Sequence, residues 1–170
     1  MYCCFTGHRP EMIPWIKNKE SERYIKLKKI LSDVIEETIS DGYTDFYCGM
    51  ARGIDTLAAE IIIEKITQNK NIHLHAALPC PQQHLSWTDD EKLHFKNILS
   101  YASTKTVISP IYTDTCMISR NRFMVDSSRR VIAVWNGAFR GGTAYTVRYA
   151  MKEKKEIYLI RPRDLSVSIL

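Results

Sequence analysis

Short apolar runs alternate with longer stretches of helical periodicity from one end of the chain to the other. Tyr2-Cys3-Cys4-Phe5 has the length of a strand. Ser21 to Ser40 follows, with Tyr24, Leu27, Ile30, Leu31, Val34, Ile35 and Ile39 at helical spacing. Asp41-Gly42 closes that helix, glycine being a common residue just beyond a helix end. The pattern then predicts a strand over Tyr43–Cys48, a helix over Ile54–Gln68, a turn at 69–71 and a strand over Ile72–Leu78, where Pro79 and Pro81 break the chain. Trp87–Tyr101 reads as a helix, with Asp89 and Asp90 in the first turn, where the macrodipole favours acids. A strand over Thr104–Ile108, a loop over Ser109–Cys116, a helix over Met117–Asp126 and the apolar strand Arg130–Trp135 come next. A loop over 136–142, a helix over Thr143–Lys154 and a strand over Glu156–Arg161 complete the series. Strand and helix in alternation predict the α/β class: a mostly parallel sheet of about six strands, helices on both faces, and one domain over 1–170. The continuous apolar character of the later strands agrees, since parallel strands are buried on both sides.

Right-handed crossovers place every strand-to-helix loop at one edge of such a sheet, and ligands bind outside the carboxyl ends of the strands. The loops at that edge are therefore the place to look for chemistry. They read Thr6-Gly7-His8-Arg9-Pro10, Gly49-Met50-Ala51-Arg52-Gly53-Ile54-Asp55, Pro79-Cys80-Pro81-Gln82-Gln83, a segment reaching Arg120, Asn121 and Arg122, and Asn136 to Thr143. Glycine admits close approach of a ligand to the backbone, the following helix offers unpaired N–H groups, and arginine adds a charged fork matched to phosphate oxygens. Gly49 with Arg52-Gly53, and Arg140-Gly141-Gly142-Thr143, each supply all of these parts before a helix, the arrangement of an anion site. Neither the dinucleotide pattern G-x-G-x-x-G after the first strand nor the P-loop is present.

Composition narrows the field only modestly. A net charge of +5, from 24 Lys+Arg against 19 Asp+Glu, suits an anionic ligand and is too weak to argue for nucleic acid. Five cysteines, an odd count, fit small apolar residues of a reduced cytoplasmic protein. No stretch approaches the roughly 18 apolar residues of a membrane span, and a charged loop so soon after Met1 argues against a secretory leader.

Several side chains carry two readings. His8 is a ligand contact or a general acid/base. Asp55 is a helix cap or a ribose contact. Trp87 and Tyr112 are packing residues or a stacking surface for a base, and Gln83 faces base or sugar. His73, His75, Cys80 and His84 fit no recognised zinc spacing, so no metal is expected.

The segments TGHRP at 6–10, CGMARGIDTLAAE at 48–60, LPCPQQHLSW at 78–87, RNRFMVDSSRRVIAVWNG at 120–137 and GGTAYTVRYA at 141–150 resemble the SLOG superfamily. That superfamily contains the DprA/Smf proteins and the LOG phosphoribohydrolases, and the chain is most similar to its YpsA-like bacterial proteins. The resemblance implies a Rossmann-like three-layer sandwich that binds a nucleotide or nucleotide derivative. It implies that Gly49, Arg52, Gly53 and Asp55 form the glycine-rich segment, that Gly141, Gly142 and Thr143 grip phosphate, and that Arg120, Asn121 and Arg122 face the ligand. It also implies a homo-oligomer. The LOG hydrolases carry P-G-G-x-G-T-x-x-E; here Thr146 stands at the glutamate's place, and a threonine supplies no carboxylate base.

Together these readings lead to a cytoplasmic ligand sensor or regulator that binds a phosphate-bearing nucleotide derivative with Gly7, His8 and Arg9 also in the site. No catalytic set, metal or further cofactor is assigned. The alternatives are a nucleotide hydrolase using His8, Asp55 or Glu60, and a DprA-like single-stranded DNA binder, with nucleic acid disfavoured on charge. Arg52→Ala is expected to cost at least about 1.5 kcal/mol of nucleotide affinity, as loss of a charged hydrogen bond would.

Overall fold

The computed structural model describes every residue except Lys70, so part of the turn predicted at 69–71 lies outside the described residues. In chain order the elements are β1 (Tyr2–Gly7), α1 (Glu22–Ser40), β2 (Asp45–Cys48), α2 (Ile54–Gln68), β3 (His73–Leu78) and α3 (Asp89–Ser100). They continue with β4 (Ala102–Val107), α4 (Cys116–Asp126), β5 (Arg130–Val134), α5 (Gly142–Lys152), β6 (Glu156–Ile160) and β7 (Val167–Ile169). The strands form one sheet in the order β4-β3-β2-β1-β5-β6-β7. The first six run parallel, and β7 returns antiparallel against β6.

Alternation along the strands divides the core. Phe5, Phe46 and Leu74 point to one face and pack with Leu27, Leu31, Leu57 and Ile61 of α1 and α2 and Phe95 of α3. Cys4, Ala77, Val131 and Ala133 point to the other and pack with Met124 and Val125 of α4 and Val147 and Ala150 of α5. The result is the expected three-layer sandwich. Strand order reverses between β1 and β5, which pair from Cys3↔Arg130 to Gly7↔Val134. In an open parallel sheet, that switch point opens a crevice at the carboxyl ends.

Local chemistry sets the helix ends. Thr88 and Glu91 form a reciprocal capping box, with Glu91 N–H donating to Thr88 Oγ1 at 3.3 Å and Thr88 N–H to Glu91 Oε2 at 3.0 Å. This starts α3 at Asp89 rather than at Trp87. By contrast, α2 and α5 begin after Gly53 and Gly141, and neither helix start has a side-chain cap. Two elements were absent from the sequence reading: a 3-10 turn over Pro14–Lys17 and the strand β7. No helix among the described residues is long and apolar enough to cross a membrane.

Candidate functional site

A cleft of about 850 Å³ opens at the switch point, between the loops after β1, β2 and β5 and the N-terminal parts of α4 and α5. Gly7, His8, Arg9, Asp55, Arg120, Asn121, Gly141, Gly142 and Thr143 all line it, although the chain segments that supply them are far apart. Its floor is polar and buried. Arg120 retains only 4% exposure; its Nη1 donates to the carbonyl of Gly49 and, at 3.4 Å, to that of Ala77. Its Nε donates to Asn121 Oδ1 at 2.8 Å. Asp55, 6% exposed, accepts the Ala51 N–H at 3.2 Å. Burial pushes the Asp55 carboxyl above the usual carboxylate range, with the Arg120 charge opposing that shift. Burial also lowers the pKa of Arg120, opposed chiefly by Asp55.

Gly49 is the residue that lets these charges lie side by side. A Cβ there would collide with Arg120 Nη1 and fall 2.5 Å from its Cζ and 2.7 Å from Asp55 Oδ2. Gly7 and Gly53 are likewise filled against by protein: Ile54 packs over the first, and the His8 carbonyl lies 2.6 Å from a Cβ at the second. These three glycines close the fold around α2.

His8 is 5% exposed, and its Nε2 accepts the Asn136 backbone N–H at 3.0 Å. That nitrogen therefore carries no proton, and the ring braces the loop after β5. Burial lowers its pKa from the ordinary 6.5.

The other wall is open. A Cβ at Gly141 would meet nothing within 4 Å, and one at Gly142 only Asn121 Nδ2 at 3.9 Å. Gly141 has φ +109, which an L side chain rarely adopts, so glycine here keeps the uncapped start of α5 bare toward the cleft. Arg9, Arg140 and Arg148 line the same cleft, are exposed, and form no ion pair among the described residues. Arg148 was missed from the sequence. Its signal was position alone: it stands seven residues after Gly141, on the helix face that begins there. Tyr145 and Met117 also line the cleft and carried no local signal.

The remaining candidates lie elsewhere. Arg52 is held between Glu11 at 2.6 Å and Glu91 at 3.3 Å, on the α3 side of its loop. Gln83 donates to the Met50 carbonyl at 2.7 Å and the Gly49 carbonyl at 3.2 Å, so it braces the β2–α2 loop from behind. Trp87 packs edge-on against Phe95, with ring centroids 5.5 Å apart. Arg122 lies along α4 over the rings of Tyr145 and Tyr149, at 5.5 and 5.4 Å from their centroids. Tyr112 lines a smaller neighbouring recess with Gln83 and Trp87. Glu60 binds Lys19 at 3.0 Å and His94 at 2.9 Å, away from the cleft. The Thr146 hydroxyl donates to the Gly142 carbonyl at 2.8 Å within its own helix. His75 is bonded to Asp45 and Thr104, His84 stacks on Phe95, and all five cysteines are free and buried.

Comparison with known proteins places the chain in a family and shows a shared fold. The SPbeta prophage-derived protein YoqJ of Bacillus subtilis is 30% identical over 144 residues, 75% of this chain and 82% of that protein. A UPF0398 protein of Bacillus thuringiensis is 25% identical over 154 residues, covering 89% and 83% of the two chains. DNA processing protein A from Helicobacter pylori, studied for its single-stranded DNA binding, superposes with a TM-score of 0.60 at 16% identity. The match covers 94% of this chain and 64% of that one, and it shows a shared fold. The sequence model of the YspA SLOG family matches residues 3–165, and the chain belongs to that family.

Proposed function

We propose that the cleft binds a phosphate-bearing nucleotide or nucleotide derivative, as a ligand sensor or regulator. The phosphate lies against the start of α5 at Gly141-Gly142-Thr143, with Arg9, Arg140 and Arg148 around it. The observation that carries this reading is three arginines with no carboxylate partner among the described residues, beside an uncapped helix start that has open space in front of it. Exposed N–H groups with a partial positive charge, and planar guanidinium groups, both favour phosphate. Binding is favoured over turnover. The Thr146 hydroxyl is engaged within α5, Glu60 is outside the cleft, His8 uses Nε2 to hold the β5–α5 loop, and Asp55, on the cleft floor, is bound to the Ala51 N–H beside the Arg120 charge. Calorimetric titration with AMP, adenosine and inorganic phosphate tests the reading. AMP binding that exceeds adenosine binding at least tenfold supports it, and equal affinities refute it. Released adenine in the same mixture would restore the hydrolase.

A second reading is single-stranded DNA binding, favoured by the fold shared with the Helicobacter pylori protein. That likeness reopens nucleic acid, which the net charge of +5 alone had disfavoured. Exposed Phe139 and Tyr112 near the cleft supply aromatic surface of the kind single strands use. An oligothymidylate titrated at rising salt decides it: a steep fall in affinity indicates phosphate neutralisation along a strand. AMP saturation with no oligonucleotide binding dismisses it.

A further inference from the structure

We propose that Thr104, His75 and Asp45 form a second chemical site, in which the Thr104 hydroxyl takes the acyl group of a small activated ester. The three stand on neighbouring strands, in the first halves of β4, β3 and β2, at the end of the sheet away from the cleft, and none of them lines the cleft. Thr104 Oγ1 lies 2.8 Å from His75 Nδ1, and His75 Nε2 lies 2.9 Å from Asp45 Oδ1. A hydroxyl, a base and an orienting carboxylate are thus linked within hydrogen-bond reach, the arrangement that activates a hydroxyl as a nucleophile. The strand register puts the threonine there. Leu74 pairs with Ala102 and His75 with Thr104, which leaves Ser103 as an extra residue in β4. In unbroken register Ser103 would stand beside His75, and bulges re-aim side chains in this way. Ser103 Oγ instead lies 3.5 Å from His73 Nδ1.

The surroundings fit these roles. Burial would raise the pKa of the Asp45 carboxyl, but hydrogen bonds from His75 and Thr44 prevail and hold it below the usual carboxylate range. Thr44 Oγ1 donates to its Oδ2 at 2.8 Å. An ionised carboxylate only accepts, so the neutral imidazole carries its proton on Nε2 and turns the Nδ1 lone pair to Thr104. His75 is 7% exposed, with the rings of Tyr2 and Tyr47 at 5.7 and 5.2 Å from its own, whereas Thr104 is exposed on an edge strand. The base is sheltered and the nucleophile is open. In the reaction Oγ1 bonds to the ester carbonyl carbon while its proton passes to Nδ1. Collapse breaks the bond to the leaving oxygen, which takes that proton back from Nδ1. Water, deprotonated by the same nitrogen, then attacks the acyl-threonine, releases the acid and restores the Thr104 hydroxyl. One nucleophile and one base suit a leaving group that departs readily, so aryl esters fit and amides do not. The exposed Tyr2 ring offers surface to the aryl group.

The test uses 4-nitrophenyl acetate. Absorbance follows release of 4-nitrophenolate, and peptide mass spectrometry locates the acetyl group. The acetyl group is expected on Thr104. Release is expected to be at least tenfold faster than from Thr104→Val, which keeps the branched shape and removes the hydroxyl. Thr104→Ser, which keeps a hydroxyl, should retain the reaction, and His75→Gln should remove acetylation at Thr104. Asp45 acts through the imidazole as a positioning residue, so Asp45→Asn should lower kcat at least tenfold and leave KM unchanged. Circular dichroism controls for folding, and Thr104→Val, at an exposed position, carries the test alone if the other variants do not fold. The proposal is overturned if acetyl groups appear only on lysines, on His73 or on the amino terminus, or if Thr104→Val releases nitrophenolate as fast as the parent. Undiminished acetylation of Thr104 in folded His75→Gln, or an unchanged kcat in folded Asp45→Asn, also overturns it. None of these outcomes depends on whether the sheet-edge cleft binds nucleotide.

Discussion

Gly49→Ala and Gly142→Ala make the same chemical change at two loops of the same type, and the structure predicts opposite consequences. At Gly49 the added methyl would occupy the space of the Arg120 guanidinium and lie 2.7 Å from Asp55 Oδ2. Neither neighbour is a loose chain end. Arg120 is held by the carbonyls of Gly49 and Ala77 and by Asn121, and moving it leaves a buried cation with fewer acceptors. Forcing a methyl into a packed site costs about 1–3 kcal/mol. Losing one charge-assisted hydrogen bond costs about 1.5–3 kcal/mol. A loss of about 3 kcal/mol follows, which for a chain of this length lowers the melting temperature by roughly 6–12 °C. At Gly142 the methyl meets only Asn121 Nδ2 at 3.9 Å, at the first position of α5, where alanine favours helix. Its stability should stay within about 1 kcal/mol of the parent, while the methyl projects into the space proposed for phosphate and weakens AMP. Urea unfolding followed by circular dichroism measures the first quantity, and calorimetry the second. An Arg120→Met background should reduce the penalty at Gly49, because the colliding atoms are gone and the two changes are coupled. If Gly49→Ala costs less than about 1 kcal/mol, or no more than Gly142→Ala, the account of Gly49 as a seat for a buried guanidinium is wrong.

Arg140→Ala and Arg148→Ala should each weaken AMP roughly tenfold in calorimetry, the loss of one charged hydrogen bond, and leave adenosine unchanged. Arg52→Ala, first expected to cost at least about 1.5 kcal/mol of affinity, should now leave AMP binding within about twofold, since Glu11 and Glu91 already engage that guanidinium, which does not line the cleft. Its effect on stability should be under about 1 kcal/mol, the usual scale of partly exposed pairs. His8 introduces a pH dependence. Its folded pKa is depressed below the ordinary 6.5, so the native state resists the proton. The stability it contributes is complete above 6.5 and is lost as pH falls through the lower folded value. Asp55, raised by burial, has the opposite slope: its contribution is complete at low pH and lost as pH rises through its folded value. Comparing melts of the parent and His8→Gln between pH 7.5 and 5.0 isolates the histidine. The variant should lose less stability on acidification, and parallel curves would refute the assignment.

What the sequence disclosed follows from which information is local. The six parallel strands and five helices were legible because the helices repeat a period of 3.6 and strands buried on both faces are short apolar runs between turn signals. β7 was not, because Val167-Ser168-Ile169 is a three-residue edge strand whose pairing with β6 depends on the chain turning back after Pro162. The start of α3 was misplaced at Trp87 because residue type was weighed there without the reciprocal bonds of Thr88 and Glu91. The sheet edge as the place of the site was legible from topology. Which glycines face a guest and which face the protein was not. The space beside Gly49 is taken by Arg120, from 71 residues further along the chain. The space beside Gly141 is empty, with nothing within 4 Å of a Cβ placed there.

Arginine obeys the same logic. Arg52, next to a glycine at a helix start, has every local sign of an anion ligand, yet Glu11 and Glu91 reach it from other elements and hold it. Arg148, whose sole sign was its place seven residues after Gly141, lines the cleft with no carboxylate partner among the described residues, its guanidinium 5.2 Å from the Phe139 ring centroid. A guanidinium serves a guest only if no carboxylate of its own chain arrives first, and that competition is settled by tertiary structure. Substituting Glu11 and Glu91 together by glutamine would release Arg52 without creating an obstacle. Its reach toward Ala51 and Arg9, which share the adjoining recess, would then be measurable as a gain in AMP affinity. No gain would mean that the Arg52 backbone position itself, and not its carboxylate partners, excludes it from the cleft.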